Sequence, residues 1–261
     1  LTNTKQLREE LIRGDAVFQT SIDSEVMALL INKYSDGDIE KGVLEAGKRF
    51  KGSFSLVVMT SDKLIAVRDP YGIRPLVLGK SLDDVIVASE TCAIDAVGGT
   101  VVRDIKPGEV LVVDSSGMHS YFLEQQKRTA ACIFEYVYFA RPDSIIDGCS
   151  VYEARKGAGK ILAKHYPIRA DIVSGVPDSA VVAARGNSEV CGIPYVEALA
   201  KNRYVGRTFI QPDQSMRENS VSVKMNALRA NTRGKKLIII DDSIVRGTTS
   251  RKIVKMLREA G

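Results

Sequence analysis

No apolar run in this 261-residue chain approaches the ~20 residues that a membrane-spanning helix needs. Nor does its start carry the charged and apolar regions of a secretory leader. Aromatic residues make up only 6% and do not alternate with basic ones, so a base-stacking surface for nucleic acid is not supported. The four cysteines, Cys92, Cys132, Cys149 and Cys191, contain no Cys-x-x-Cys pair. A zinc site therefore finds no support in their spacing. So few thiols, without a dense framework, fit a reducing cytoplasm. A Gly-x-x-x-x-Gly-Lys-Ser/Thr loop is absent, which argues against a Walker-type nucleotide site. There are neither internal repeats nor low-complexity segments.

What remains is the composition of a soluble globular chain, 44% hydrophobic and 26% charged, long enough for one large or two ordinary domains. A polar run, Glu124-Gln125-Gln126-Lys127-Arg128, separates two apolar stretches and places the boundary at 126/127. In residues 1–126 short strands at close spacing, Phe54–Thr60, Lys63–Arg68, Val85–Ser89 and Val110–Val113, predict antiparallel sheet. A helix over Asp23–Tyr34 accompanies them, and Pro70 with Gly72 predicts a hairpin turn. In residues 127–261 apolar strands alternate with helical patterns, at Ala170–Val173, Ser179–Arg185, Tyr195–Ala198 and Leu237–Ile240. That order predicts an α/β domain with a mainly parallel sheet. The formal charge of +5 is modest, and the basic residues gather in the second half.

The most informative stretch runs from Lys235 to Ser250. Leu237-Ile238-Ile239-Ile240 reads as a buried strand, and it ends in the adjacent carboxylates Asp241 and Asp242. Ser243, Arg246, Gly247, Thr248, Thr249 and Ser250 follow, and Arg251–Arg258 has helical spacing. No Gly-x-Gly-x-x-Gly fingerprint of dinucleotide-binding folds follows the strand. A loop of small and hydroxyl residues at a helix N-terminus offers N–H groups and a favourable dipole to an anion. Paired carboxylates suit sugar hydroxyls or a hydrated Mg²⁺. A phosphate cradle beside a diol or metal site points to a sugar phosphate. The plain alternative is a solvated Asp pair with a Thr or Ser helix cap.

This string resembles the phosphoribosyl pyrophosphate (PRPP) motif of type I phosphoribosyltransferases, and is most similar to that of the glutamine phosphoribosylpyrophosphate amidotransferase family. The resemblance implies that Asp241 and Asp242 hold the ribose hydroxyls and contribute to a Mg²⁺ site, while Arg246–Ser250 wraps the 5-phosphate. Asp171–Ala180 is similar to the family's pyrophosphate-loop segment, with Ser179 at a Mg²⁺-associated position. The basic segment Lys201–Lys224 resembles its mobile loop, which closes over PRPP. Cys132 sits where some members place one ligand of a [4Fe–4S] cluster, the other three being expected beyond residue 261. A small buried hydrophobe is the equal alternative for Cys132.

The first half resembles the glutaminase domain of N-terminal-nucleophile amidotransferases, through Leu1-Thr2-Asn3 and Phe18–Val26. By this resemblance Asp23 pairs with the α-amino group of glutamine, work that suits a carboxylate. Capping of the following helix by Asp23 or Ser21 is the other reading. Arg68–Leu76 and Ala88–Ala93 also match that domain and read as scaffold.

Together these segments imply an αββα glutaminase domain over 1–126 and a type I phosphoribosyltransferase domain over 127–261, each partial. The family's nucleophile is an N-terminal cysteine, expected upstream of Leu1, so no catalytic residue is assigned within the chain. The chain by itself is expected not to hydrolyse glutamine. The implied enzyme converts PRPP and glutamine to phosphoribosylamine, pyrophosphate and glutamate in purine synthesis. It uses Mg²⁺, is inhibited by purine nucleotides, forms a homotetramer in the cytoplasm, and binds neither nucleic acid nor membrane. A salvage phosphoribosyltransferase and a non-catalytic PRPP-sensing regulator are the alternatives. The glutaminase-like half weighs against the first, and the lack of a helix-turn-helix in the first half against the second.

Overall fold

The computed structural model describes residues 1–123, 128–202 and 225–261, which fall into two compact units. Unit 1 comprises Leu1–Ile133 with Ser144–Gly148, and unit 2 comprises Phe134–Asp143 with Cys149–Gly261. The boundary expected at 126/127 lies in 124–127, outside the described residues, as do residues 203–224 of the expected mobile loop.

Unit 1 opens with three helices, α1 (Thr4–Arg13), α2 (Asp23–Ser35) and α3 (Ile39–Arg49). Asp38 caps α3, its carboxylate accepting the Glu40 and Lys41 N–H groups, which supplies partners for two orphan donors of the first turn. Seven strands follow: β1 (Ser55–Met59), β2 (Leu64–Arg68), β3 (Val77–Ser81), β4 (Asp84–Ala88), β5 (Thr100–Asp104), β6 (Glu109–Asp114) and β7 (Gly117–Phe122). They form two antiparallel sheets, ordered β1-β2-β6-β7 and β4-β3-β5. Helix α4 (Thr91–Ala96) lies on the second sheet, where Ile94 packs over Gly79 and Gly99, each without room for a Cβ.

The strand alternation separates two cores. Ile65 and Val67 of β2, with Val110 and Val112 of β6, face Leu7, Val26, Leu30 and Val43 of the helices. Ala66 and Leu111, one residue out of phase, instead meet Leu76, Leu78 and Ile105. A strand turns successive side chains to opposite faces, so a central strand buried on both sides serves two cores. Unit 1 is thus layered helices, sheet, sheet, helix, as expected from the resemblance.

The Pro70–Gly72 turn is not a hairpin. β2 and β3 belong to different sheets, so the segment between them is a crossover from one layer to the next. Polar side chains hold it. Buried Asp69 accepts the Tyr71 and Ile73 N–H groups, each at 3.0 Å. Arg68, also buried, donates to the carbonyls of Arg74, Gly72 and Ile105 and to both carboxylate oxygens of Asp147. Turn residues alone do not distinguish this arrangement from a hairpin, because buried Arg68 and its distant partners supply the geometry.

In unit 2, α5 (Val151–His165) and α6 (Val181–Cys191) cross closely through glycine. A Cβ on Gly159 would lie 1.8 Å from the Ala183 carbonyl oxygen, and one on Gly186 2.1 Å from that of Lys156. Strands Ile172–Gly175 and Leu237–Ile240 pair in parallel, with Gly175 opposite Ile240. Leu199–Lys201 pairs antiparallel with Met225–Ala227. The strand expected over Tyr195–Ala198 is reduced to one parallel bridge, Val173 to Tyr195, before regular pairing begins at Leu199. Unit 2 therefore mixes parallel and antiparallel pairs among its described residues. No helix among the described residues is long and apolar enough to cross a membrane.

Candidate functional site

The parallel strands of unit 2 both end at the same edge, and the residues just past them carry the chemistry. Val176 N–H donates to the Ile240 carbonyl at 2.9 Å, extending the pairing one step beyond Gly175. From there one chain turns through Pro177, Asp178 and Ser179, and the other through Asp241, Asp242 and Ser243. Ligands of open α/β sheets bind at such carboxyl ends.

Three hydroxyl and carboxyl side chains meet there. Ser179 donates to Asp242 Oδ2, and Ser243 donates to Asp242 Oδ1 at 2.6 Å. The Asp242 N–H donates to Asp241 Oδ1 at 2.9 Å. Burial pushes the Asp241 carboxyl above its ordinary value; the Asp242 N–H opposes this, and the neighbouring Asp242 charge adds to it. Two adjacent carboxylates, both half-buried, make a site that gains from a cation or from hydroxyl donors. Lys201 forms an ion pair with Asp178, beside Ser179. Nothing in the spacing of Lys201 and Asp178 announced this contact.

Gly247 has φ +70° and is the N-cap of the helix Thr248–Glu259. No side chain caps this end. The Thr or Ser cap considered as the alternative is therefore not formed, and the first-turn N–H groups face the loop. Arg246, Thr248 and Thr249 are exposed, with Gly247 and Ser250 partly buried. The structure thus brings Ser179, Asp241, Asp242 and Ser243 into one hydrogen-bonded group and sets Arg246–Ser250 on the same loop at a helix start. The group offers oxygen atoms alone, from two carboxylates and two hydroxyls, the donor type that a hard cation takes.

Asp23 lies in unit 1 and is described separately. It is the first residue of α2, whose N-cap position is Ile22, and no side chain caps that helix. Neither Asp23 nor Ser21 is the cap. Asp23 Oδ2 instead lies 3.1 Å from the Leu1 main-chain nitrogen. The preceding loop is fixed by a residue that sequence reasoning passed over, Glu25. Its carboxylate accepts the Gln19 and Thr20 N–H groups and the Thr20 hydroxyl, at 2.7, 2.8 and 2.6 Å. Arg8 adds a bond to the Thr20 carbonyl at 2.7 Å and stacks over Phe18. The carboxylates of Glu25 and Asp23 flank this short loop.

Cys132 is half-buried with a free thiol, and its N–H donates to the Ile73 carbonyl at 3.0 Å. Among the described residues it belongs to no group of three side chains close enough to share an ion. The described residues thus do not supply the four thiolates of an iron–sulfur cluster.

Comparison with known proteins adds the following. A model of a glutamine amidotransferase domain matches residues 1–96. The amidophosphoribosyltransferases of Archaeoglobus fulgidus and Bacillus subtilis are each 48% identical over the whole chain. The chain spans 58% of the length of the first and 55% of the second. A solved glutamine PRPP amidotransferase from B. subtilis, complexed with ADP and GMP, superposes with a TM-score of 0.92. It is 48% identical and contains the whole chain within 57% of its own length.

Proposed function

From its similarity to amidophosphoribosyltransferases we infer that the chain is part of an enzyme of that family, which makes phosphoribosylamine from PRPP and glutamine. In this reading unit 1 belongs to a glutaminase domain of the N-terminal-nucleophile type. Unit 2 belongs to a type I phosphoribosyltransferase domain. The observation that carries the reading is the convergence of Ser179, Asp241, Asp242 and Ser243 at paired parallel strand ends, one loop away from the uncapped helix at Gly247.

Each group has a task that follows from its chemistry. Asp241 and Asp242 accept hydrogen bonds from the ribose hydroxyls. The N–H groups and hydroxyls of Gly247–Ser250 receive the 5-phosphate at the positive end of the helix dipole, and Arg246 adds charge. Ser179 orients Asp242 and, with the Asp pair, would hold Mg²⁺; the metal supplies charge neutralisation to the departing pyrophosphate. At C1 of PRPP the bond to pyrophosphate oxygen breaks and a bond to ammonia nitrogen forms, with loss of one proton from nitrogen. In unit 1 the Asp23 carboxylate would grip the ammonium of glutamine through a charge-assisted hydrogen bond.

A cytoplasmic homotetramer regulated by purine nucleotides completes the reading. The ADP and GMP bound to the B. subtilis protein support the nucleotide part. An iron–sulfur role for Cys132 would need thiolates from outside the described residues, and no step depends on it. The deciding experiment is calorimetric titration of PRPP with Mg²⁺. Affinity should collapse in Asp241→Ala/Asp242→Ala, and unchanged affinity in that variant would reject the site.

A further inference from the structure

Away from both sites, three side chains of unit 1 form a compact group of mixed donors. Glu40 comes from the first turn of α3, while Asp114 and His119 lie on either side of the β6–β7 turn. One ligand atom from each lies within 4.8 Å of the others. His119 Nε2 is 3.5 Å from Glu40 Oε2, at the outer limit of a hydrogen bond. Two ligands of a tetrahedral ion, each about 2.0–2.2 Å from the metal, stand about 3.3–3.5 Å apart. The separation is poor for a hydrogen bond and right for an edge of a coordination tetrahedron.

Each carboxylate also has a neighbouring partner. Lys63 pairs with Glu40 through Oε1, the other carboxylate oxygen. Asp114 uses Oδ1 for both Ser116 contacts, the N–H at 2.8 Å and the hydroxyl at 2.6 Å. The Tyr121 hydroxyl lies beside the Glu40 carboxylate, and its ring packs edge-on against the His119 imidazole, centroids 5.6 Å apart. These contacts are the outer-shell supports that orient metal ligands. All three ligand residues are half-buried, so an ion has access from solvent.

We propose that Glu40, Asp114 and His119 form a site for a borderline divalent ion such as Zn²⁺, with water as fourth ligand, tying the start of α3 to the β6–β7 hairpin. One imidazole with two carboxylates favours such an ion over Mg²⁺ or Ca²⁺, which take all-oxygen sets. Cysteine spacing did not reveal it because its ligands lie 74 and 5 residues apart and include no thiol.

The test is titration of Co²⁺ into the purified chain with its cysteines alkylated, read by visible absorption and by displacement with Zn²⁺. One equivalent should bind with the strong visible band of tetrahedral cobalt, and Zn²⁺ should remove it. His119→Gln and Asp114→Asn should abolish the band while far-UV dichroism stays that of the parent. Tyr121→Phe should weaken binding about tenfold, as expected for an outer-shell partner. No saturable band in the parent, or the same band and affinity in a folded His119→Gln, would overturn the proposal.

Discussion

Ser179 and Asp242, 63 residues apart in sequence, are joined by a hydrogen bond at the ends of two parallel strands. The bond links the turn after Ile172–Gly175 to the acidic end of Leu237–Ile240. It makes the two segments one site, because a shift in either strand moves both the hydroxyl and the carboxylate.

Ser179→Ala should therefore weaken Mg²⁺-dependent PRPP binding without unfolding unit 2. Losing one hydrogen bond to a carboxylate costs about 1–2 kcal/mol, or roughly 5- to 30-fold in affinity. Titration calorimetry reads the change, and Ser179→Thr should restore part of it. Equal affinities for all three proteins would show that Asp242 is held without Ser179.

Arg68 is the pin of the crossover between the two sheets of unit 1, and it is 1% exposed. Arg68→Met leaves the Asp147 carboxylate and the Gly72, Arg74 and Ile105 carbonyls without their donor. The expected loss is about 1–3 kcal/mol, the cost of leaving buried carbonyls without their donor, since Asp147 itself is exposed. Arg68→Lys should recover little, since an ammonium cannot reproduce the planar fork. Chemical denaturation followed by fluorescence or dichroism checks both variants.

Glu109 gives unit 1 an acid-sensitive element. Burial raises its carboxyl, but the Arg103 guanidinium, Ser120 hydroxyl and Lys106 N–H outweigh burial and hold it below the ordinary 4.5. A group depressed on folding contributes stability above its unfolded value and loses it as pH falls through its folded value. Unfolding free energy should thus fall as pH drops below about 4.5. In Glu109→Gln the slope across that interval should be shallower, although the variant is less stable at neutral pH. Parallel slopes would assign the acid loss to other carboxylates.

Gly159→Ala should destabilise unit 2 by about 1–3 kcal/mol, the range for an overpacked interface. The new methyl would lie 1.8 Å from the Ala183 carbonyl oxygen, so α5 and α6 must separate. Gly157→Ala, on the same helix with open space around it, is the matched control and should be neutral or slightly stabilising. A lower denaturation midpoint for Gly159→Ala alone is the expected outcome.

The order of elements and the PRPP-like loop were legible in the chain because both are local. Val110–Val113 is a short unbroken apolar run, and Leu237–Ile240 stop at Asp241 because an apolar strand ends where carboxylates need water or a partner. The helix expected over Asp23–Tyr34 is present as Asp23–Ser35. What stayed hidden depended on partners distant in sequence. The Pro70–Gly72 turn carries hairpin residues, yet Arg68 and Asp147, 79 positions apart, make it a crossover. Asp23 had the chemistry of a cap or an ammonium partner, and the folded chain leaves its helix without a side-chain cap.

By itself, then, the sequence determined which residues carry chemistry and which faces are apolar, since residue type and period fix these. Tertiary structure decided the company they keep: Ser179 with Asp242, Arg68 with Asp147, and Glu40 with His119. Hydrogen bonds and ion pairs act over a few ångströms in space, and only the folded chain brings such distant positions within that reach.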